Sequence, residues 1–144
     1  MTPKQYLQQI QNLKAKYRRA QETVQQIREL MTSAGAIRYD KLNVQSSPDG
    51  DKMALYMDRL MKAESRYVKA SEEYFETFVQ ISNQINMISP QTYSDILYLR
   101  YVHGMKLWDI AEELNYNYDR IRHLHGMALV EFGKCFPESL GGKQ

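Results

Sequence analysis

The sequence is poor in the residues that break helices, crosslink a chain or anchor it in a membrane. It has four Pro, seven Gly and one Cys among 144 residues, and several of the Pro and Gly fall at Ser47–Gly50, at Ser89–Pro90 and after Phe136. A single Cys excludes an intramolecular disulfide. Apolar runs near 18 residues and an apolar leader are also missing, so we expect no membrane span, no signal peptide and a reducing, cytoplasmic compartment.

The numbers of basic and acidic residues are nearly equal. The formal net charge is +2. Residues 1–88 carry 13 Lys and Arg against 10 Asp and Glu, whereas residues 89–136 carry 5 against 6. Charge by itself therefore gives no argument for binding nucleic acid.

Motifs of catalysis and metal binding are also missing from the sequence. It has no phosphate-binding glycine loop, nucleophile elbow or paired-carboxylate motif. His123, His125 and Cys135 fit no zinc-finger spacing, and Asp49–Asp51 is too short for a calcium loop. We expect a protein that is not an enzyme and that needs no cofactor or metal.

What the first half does contain is a heptad pattern. Apolar residues recur there at alternating spacings of four and three, in two runs, of which the second is interrupted by Glu64 and Ser71. The first run is Tyr6, Ile10, Leu13, Tyr17, Ala20, Val24, Ile27, Met31 and Ala34, and the second is Met53, Met57, Leu60, Tyr67, Tyr74, Phe78, Ile81, Ile85 and Ile88. The pattern predicts two long helices of similar length that pair as a hairpin or coiled coil.

The predicted fold class is all-α, in three parts. Residues 1–88 form the helical hairpin with a loop at 35–52, residues 89–136 form a separate helix-turn-helix domain, and residues 137–144 form a flexible tail. Thr2 and Pro3 suit the cap and first turn of the first helix. Ser47–Gly50 has the residues of a turn, and Asp49 or Asp51 can cap the second helix.

The second helix carries more apolar residues than one hairpin can bury. Those beside its seam are Leu55, Tyr56, Met61, Val68 and Phe75. We interpret them as a surface for self-association, with a dimer favoured, as two hairpins in a four-helix bundle or as a longer coiled coil. The alternative is that they pack against the C-terminal domain of a monomer.

The C-terminal segment has the pattern of a helix-turn-helix, from about Tyr93 to Phe132. Ser89 and Pro90 can cap and open a helix that stops before Gly104. Residues 107–114 place Leu107, Ile110, Ala111 and Leu114 on one face of a short helix. Lys106 at its cap position costs about 1 kcal/mol relative to Ser or Thr.

A tight turn and a second helix follow. Asn115 tolerates a left-handed backbone and Asn117 can cap the new helix, which we expect to span about residues 116–129 and to continue toward Phe132. Ile121, Leu124, Ala128, Leu129 and Phe132 form its buried face. A short helix, a turn and a longer helix make the motif that places its second helix in the DNA major groove.

The residues expected to contact double-stranded DNA lie at the start of this recognition helix. An Arg can bond guanine through two hydrogen bonds, an Asp can accept from cytosine or orient an Arg, and His and Tyr can donate to bases or phosphates. The candidates are Asn117, Tyr118, Asp119, Arg120, Arg122 and His123. Trp108 is interpreted as a partly buried packing residue or as a contact for a partner.

This segment resembles region 4 of the sigma-70 family of transcription initiation factors. The matching residues are Leu99–Val102, Gly104, Ile110, Ala111, Leu114, Asp119–Arg122, Ala128 and Leu129. The resemblance implies that Tyr118, Asp119, Arg122 and His123 face promoter bases. Tyr118 and His123 depart from the Arg and Gln usual in the family, so a different target sequence is implied.

The whole chain, including residues 44–54, is similar to small phage and prophage proteins of Gram-positive bacteria, some of whose relatives activate late genes. This similarity implies a sequence-specific transcriptional regulator in the bacterial cytoplasm, with RNA polymerase as a further partner. Two other functions stay open. One is a DNA-recognition and assembly protein of the small-terminase type, and the other is an adaptor that binds RNA polymerase without reading DNA.

Overall fold

The computed structural model describes residues 1–40 and 47–141, with residues 34–40 and 47–50 described by their backbone alone. This part of the chain is all-α and contains no strand, which confirms the predicted class. Its helices are α1 (Pro3–Asp40), α2 (Ser47–Asn86), α3 (Gln91–Leu97), α4 (Leu107–Leu114) and α5 (Tyr118–Cys135), and a π-helical turn (Tyr98–Val102) continues α3. Among the helices so described, none is long and apolar enough to cross a membrane.

Both long helices extend into the loop predicted at residues 35–52. α1 reaches Asp40 and α2 begins at Ser47, so the predicted turn at Ser47–Gly50 is the start of α2 instead. Pro48 is compatible with this because the first turn of a helix has no intrahelical partner for a backbone N–H. The proposed cap at Asp49 falls among residues whose side chains are not described, and residues 41–46 lie outside the described chain.

The start of α1 is capped as predicted. Gln5 N donates to Thr2 Oγ1 at 3.1 Å, and Thr2 N donates to Gln5 Oε1 at 2.9 Å. This reciprocal pair is a capping box, with Pro3 in the first turn. It fixes where α1 begins.

The contacts divide the chain into two compact units at positions other than the predicted 88/89 boundary. One unit, here the C-terminal unit, combines Met1–Lys14 with Tyr74–Gln144, and the other, here the hairpin unit, is Ala15–Glu73. The boundary differs because the first residues of α1 and the last residues of α2 pack with α3 and α5, and not only with each other.

Within the hairpin unit, α1 and α2 run antiparallel. Tyr17 stacks on Tyr67 with ring centroids 5.6 Å apart, and Lys16 Nζ lies 3.3 Å from Glu73 Oε1. Arg28 forms an ion pair with Glu64, one of the two polar interruptions of the seam. At the other interruption, the Ser71 hydroxyl donates to the Val68 carbonyl at 2.8 Å.

The buried face of α2 in this unit is turned slightly from the predicted seam. Ala63 and Ala70 are buried, whereas Met57, predicted on the seam, is 45% exposed. Small side chains at 63 and 70 let the two helix surfaces approach, which moves the contact to their side of the helix. Leu55, Met61 and Val68, predicted as a second surface, are exposed, and Tyr56 is half-buried. Phe75, the remaining residue of that set, is exposed in the C-terminal unit.

The C-terminal unit is built on a core that collects one or more residues from most of its elements. Leu7 and Ile10 of α1, Ile81 and Ile85 of α2, and Phe132 of α5 are buried there almost completely. The remaining members are Tyr6, Ile88, Leu97, Tyr101, Val102 and Ala128. Tyr6 and Phe132 bring their rings within 5.8 Å, so the start of the chain packs directly on the last helix.

The helix predicted from Pro90 to Gly104 differs in two details. Pro90 occupies the cap position in place of Ser89, and the last five residues form the π-helical turn, in which His103 N donates to Tyr98 O at 3.1 Å. Gln11 Nε2 donates to the carbonyls of Tyr101 and Val102 at 3.1 Å each. Gly104 then ends the helix with a φ of +75°, and a Cβ there would lie 3.0 Å from the Gln11 amide oxygen.

The tail predicted to be flexible is folded as far as residue 141. Leu140 packs against the core, and Ser139 Oγ accepts a hydrogen bond from Gln84 Nε2 at 2.8 Å. The segment packs despite its glycines because the apolar Leu140 side chain is partly buried against the core. Residues 142–144 lie outside the described chain.

A buried tyrosine and a half-buried histidine link the π-helical turn to α5. Tyr101 Oη and His125 Nε2 are 2.9 Å apart, and the two rings stack with centroids 5.7 Å apart. Burial, with the nearby charges of Arg100 and Lys4, lowers the pKa of His125 to about 4. A neutral imidazole can accept a hydrogen bond from the Tyr101 hydroxyl, and burial raises the pKa of this phenol.

Acid should therefore destabilise the fold in part through His125. Between pH 6.5 and about 4, this residue binds a proton in the unfolded chain but not in the folded one. Its contribution to the free energy of unfolding is complete above pH 6.5 and is lost as the pH falls toward 4. We expect the Tm of the parent to drop more over this range than that of His125→Gln, which keeps an acceptor for Tyr101. If circular dichroism shows the same change of Tm with pH for the parent and for His125→Gln, this prediction is wrong.

Candidate nucleic-acid interface

α4 and α5 are joined by a turn whose geometry two asparagines determine. Asn115 ends α4 in the left-handed region at φ 61° and ψ 42°, and Tyr116 N donates to Ala111 O at 3.0 Å. Asn117 Oδ1 accepts from Arg120 N at 2.8 Å, which caps α5. Both predicted roles are confirmed. The cap also explains why α5 begins at Tyr118 and not at Tyr116.

A small apolar cluster holds the two helices at a fixed angle. Ile110 and Ala111 of α4 pack with Ile121 and Leu124 of α5 and with Ile96 of α3, and all five are buried. Further along α5, Ala128 and Phe132 are buried in the larger core, while Leu129 is half-buried. One side of α5 packs against this small cluster and against the larger core. The opposite side of α5 is therefore exposed to solvent along its length.

The exposed side presents the predicted recognition residues. Asp119, Arg122 and His123 are exposed and point away from the core, since residues 121 and 124 face it. Successive helical residues are turned by about 100°, so Tyr118 and Arg120 fall on opposite edges of this surface. Arg120 is exposed, and Asn117, also exposed, lies at the helix start. The six predicted residues are thus brought together at one helix end.

Two contacts orient the Arg122 side chain. Its guanidinium carbon lies 5.9 Å from the centre of the Tyr118 ring, and its Nη1 lies 3.9 Å from Asp119 Oδ1. The Asp119 carboxylate is 91% exposed, so solvent screens this pair and its energy is small. The contacts orient the guanidinium but leave its hydrogen-bond donors available to a ligand. A concave surface of about 430 Å³ continues from Arg122 and His123 toward Met127 and Val130.

Trp108 was interpreted as partly buried or as a partner contact, and the structure places it at the surface. Its side chain is 65% exposed, and its ring centroid lies 4.3 Å from that of Tyr118, with the planes tilted by 59°.

Lys106 is the cap residue of α4 and makes no side-chain cap bond, as expected. Asp109, Glu112 and Glu113 give the exposed side of α4 an acidic character.

Tyr116 is a surface residue that the sequence reasoning did not single out. The sequence predicts it at the start of the recognition helix, but it lies in the turn and is 38% exposed beside Trp108 and Tyr118. The signal that could have identified it is the combination of an asparagine suited to the left-handed region at 115 and a capping asparagine at 117, which leaves residue 116 outside both helices.

No model of a known protein family, no curated protein and no solved structure matches the chain. The geometry of the site therefore carries the functional argument.

The Asn117 cap should contribute measurably to stability. Asn117→Ala leaves the Arg120 backbone N–H without its partner, and we expect the free energy of unfolding to fall by about 1 kcal/mol in urea denaturation. Asn117→Ser is the matched control because its hydroxyl can accept the same bond, and it should stay close to the parent. The cap has no such role if Asn117→Ala unfolds at the midpoint of the parent.

Proposed function

We propose that the chain is a sequence-specific regulator of phage or prophage transcription in the bacterial cytoplasm, and that it binds double-stranded DNA through α5. One observation carries the proposal. Two helices joined by a capped, left-handed turn present Asp119, Arg122 and His123 on the exposed face at the start of α5. In helix-turn-helix proteins this end of the second helix reads base edges in the major groove.

The chemistry of these residues supports base readout. Arg122 can donate two hydrogen bonds to guanine, and Asp119 lies where it can orient that guanidinium or accept from cytosine. His123 and Tyr118 can donate to bases or phosphates, and Asn117 and Arg120, at the start of α5, can donate to phosphates. The resemblance of this segment to sigma-70 region 4 supports the same assignment.

The balance of charge supports the further proposal that the protein acts as an oligomer, with a dimer favoured. Residues 89–136 carry 5 basic against 6 acidic residues, so one copy attracts phosphates weakly. A second copy doubles the phosphate contacts. The surface available for pairing in the hairpin unit is the side of α2 that carries Met61 and Val68, which are exposed and lie one heptad apart.

An adaptor that binds RNA polymerase is the second candidate function. The observation that favours it is the acidic exposed side of α4, where Asp109, Glu112 and Glu113 repel the DNA backbone but suit a basic protein surface. The two functions are compatible, because the acidic residues lie on α4 and the predicted reading residues lie on α5 or just before it.

Substitution of Arg122 tests DNA reading. Sites can be selected from random double-stranded DNA and then located by footprinting on phage DNA. Arg122→Ala should weaken binding to the selected site by about 1–3 kcal/mol, because a bidentate base contact is lost. Arg66→Ala, which removes an equal charge from an exposed position of α2, should bind within about twofold of the parent. The assignment of α5 as the recognition helix would be refuted if no DNA sequence were selected, or if Arg122→Ala bound the selected site as tightly as the parent.

Substitution of Val68 tests self-association. A carboxylate placed on the side of α2 that carries Met61 and Val68 has to be desolvated when two copies meet, so Val68→Glu should shift the mass measured by light scattering from that of a dimer toward a monomer. Gln26→Glu adds the same charge at an exposed polar position of α1 and should remain dimeric. A monomeric parent would contradict the proposal, and a ring of many copies would favour the small-terminase alternative.

A further inference from the structure

A second concave surface lies beside α4 and the turn that follows it, and reaches Tyr118 at the start of α5. It has a volume of about 490 Å³. Its lining combines aromatic rings with carboxylates and comprises Trp108, Asp109, Ala111, Glu112, Tyr116, Asn117 and Tyr118. We call this surface the aromatic cage. Neither the fold nor the proposed DNA contact of Arg122 accounts for it.

Three rings of the aromatic cage are held in place but remain open to solvent. Trp108 is 65% exposed although it contacts Tyr118, and Tyr116 is 38% exposed. The backbone bond from Tyr116 N to Ala111 O and the left-handed Asn115 fix the position of Tyr116 beside α4. The three rings therefore lie next to one another along one surface.

Asp109 and Glu112 supply the charge of the aromatic cage. Both are exposed and line the same surface, and in the described part of the chain neither forms an ion pair. An apolar ligand would desolvate these carboxylates without compensation, and a phosphate would be repelled. A cation is attracted both by the carboxylates and by the negative faces of the rings.

The structure already shows a guanidinium on one of these rings. Arg122 lies over Tyr118 at 5.9 Å from the ring centre. A planar guanidinium can stack on an aromatic face and donate to a carboxylate in the same arrangement, whereas an ammonium acts as a compact point charge. The combination of rings and carboxylates therefore fits arginine better than lysine.

We propose that the aromatic cage binds an arginine side chain of a partner protein, which stacks on Trp108 while it donates hydrogen bonds to Asp109 and Glu112. This interaction does not depend on DNA binding by α5. It defines a protein-docking surface beside the proposed reading surface, with Asn117 and Tyr118 shared by both.

The test uses the full chain and a capped tetra-arginine peptide. Trp108 is the one tryptophan in the sequence, so its fluorescence reports directly on the aromatic cage. The parent should show a saturable change with tetra-arginine, and capped tetra-lysine should bind at least about threefold more weakly. A net charge of +2 gives no general attraction for either peptide.

Variants assign the binding to the aromatic cage by fluorescence anisotropy of a labelled tetra-arginine peptide. Trp108→Ala and the double variant Asp109→Asn/Glu112→Gln should each bind about tenfold or more weakly, because each removes one half of the recognition. Glu113→Gln removes a charge from the same helix, but Glu113 does not line the aromatic cage, so this control should stay within about twofold of the parent. Circular dichroism confirms that each variant is folded.

Three results would overturn the proposal: no saturable binding of tetra-arginine, equal binding of tetra-lysine, or binding that the double variant retains. DNA binding is measured on the same variants. The double variant should bind the selected DNA site at least as tightly as the parent, since it loses two negative charges near the phosphates. A loss of peptide binding with intact DNA binding separates this proposal from the proposed function of α5.

Discussion

The packing of the first turns of α1 onto the last helix is the contact on which the C-terminal unit depends. Leu7 and Ile10 enter the same core as Phe132 of α5, and Ile81 and Ile85 of α2 complete it. Fully burying a side chain of this size contributes about 1.5–3 kcal/mol, so this group is a large part of the stability of a small domain. The position of α5, and with it the exposed side chains at its start, therefore depends on residues more than a hundred positions earlier in the sequence.

Local backbone geometry then determines which side chains are presented. Gly104 with its positive φ ends the segment before α4, and Asn115 and Asn117 define the turn before α5. These positions leave Tyr116 and Trp108 exposed beside Tyr118, so aromatic and acidic groups lie next to the residues that we propose contact DNA. The two proposals thus assign two kinds of chemistry to neighbouring parts of one small surface, and neither requires a large net charge.

The elements that sequence reasoning predicted best are those determined by local pattern. The apolar face of α4, the left-handed Asn115 and the Asn117 cap all depend on residues within a few positions of each other, and the structure contains each of them. The heptad pattern did not predict that Leu7 is buried. A heptad seam describes contact with one neighbouring helix, whereas the start of α1 contacts both α2 and the C-terminal helices. The packed Leu140 depends on contacts distant in sequence, which no local pattern encodes.

The order of the two units along the chain has a consequence for its architecture. Ala15–Glu73 is an insertion within the unit formed by Met1–Lys14 and Tyr74–Gln144. Lys16 and Glu73 pair across the ends of this insertion, with Nζ and Oε1 3.3 Å apart. Removing one heptad from each helix in register would shorten both helices of the hairpin unit by about 10 Å and leave the core residues of the C-terminal unit untouched. Evolution or design can therefore adjust the length of the hairpin separately from the surface that α5 presents.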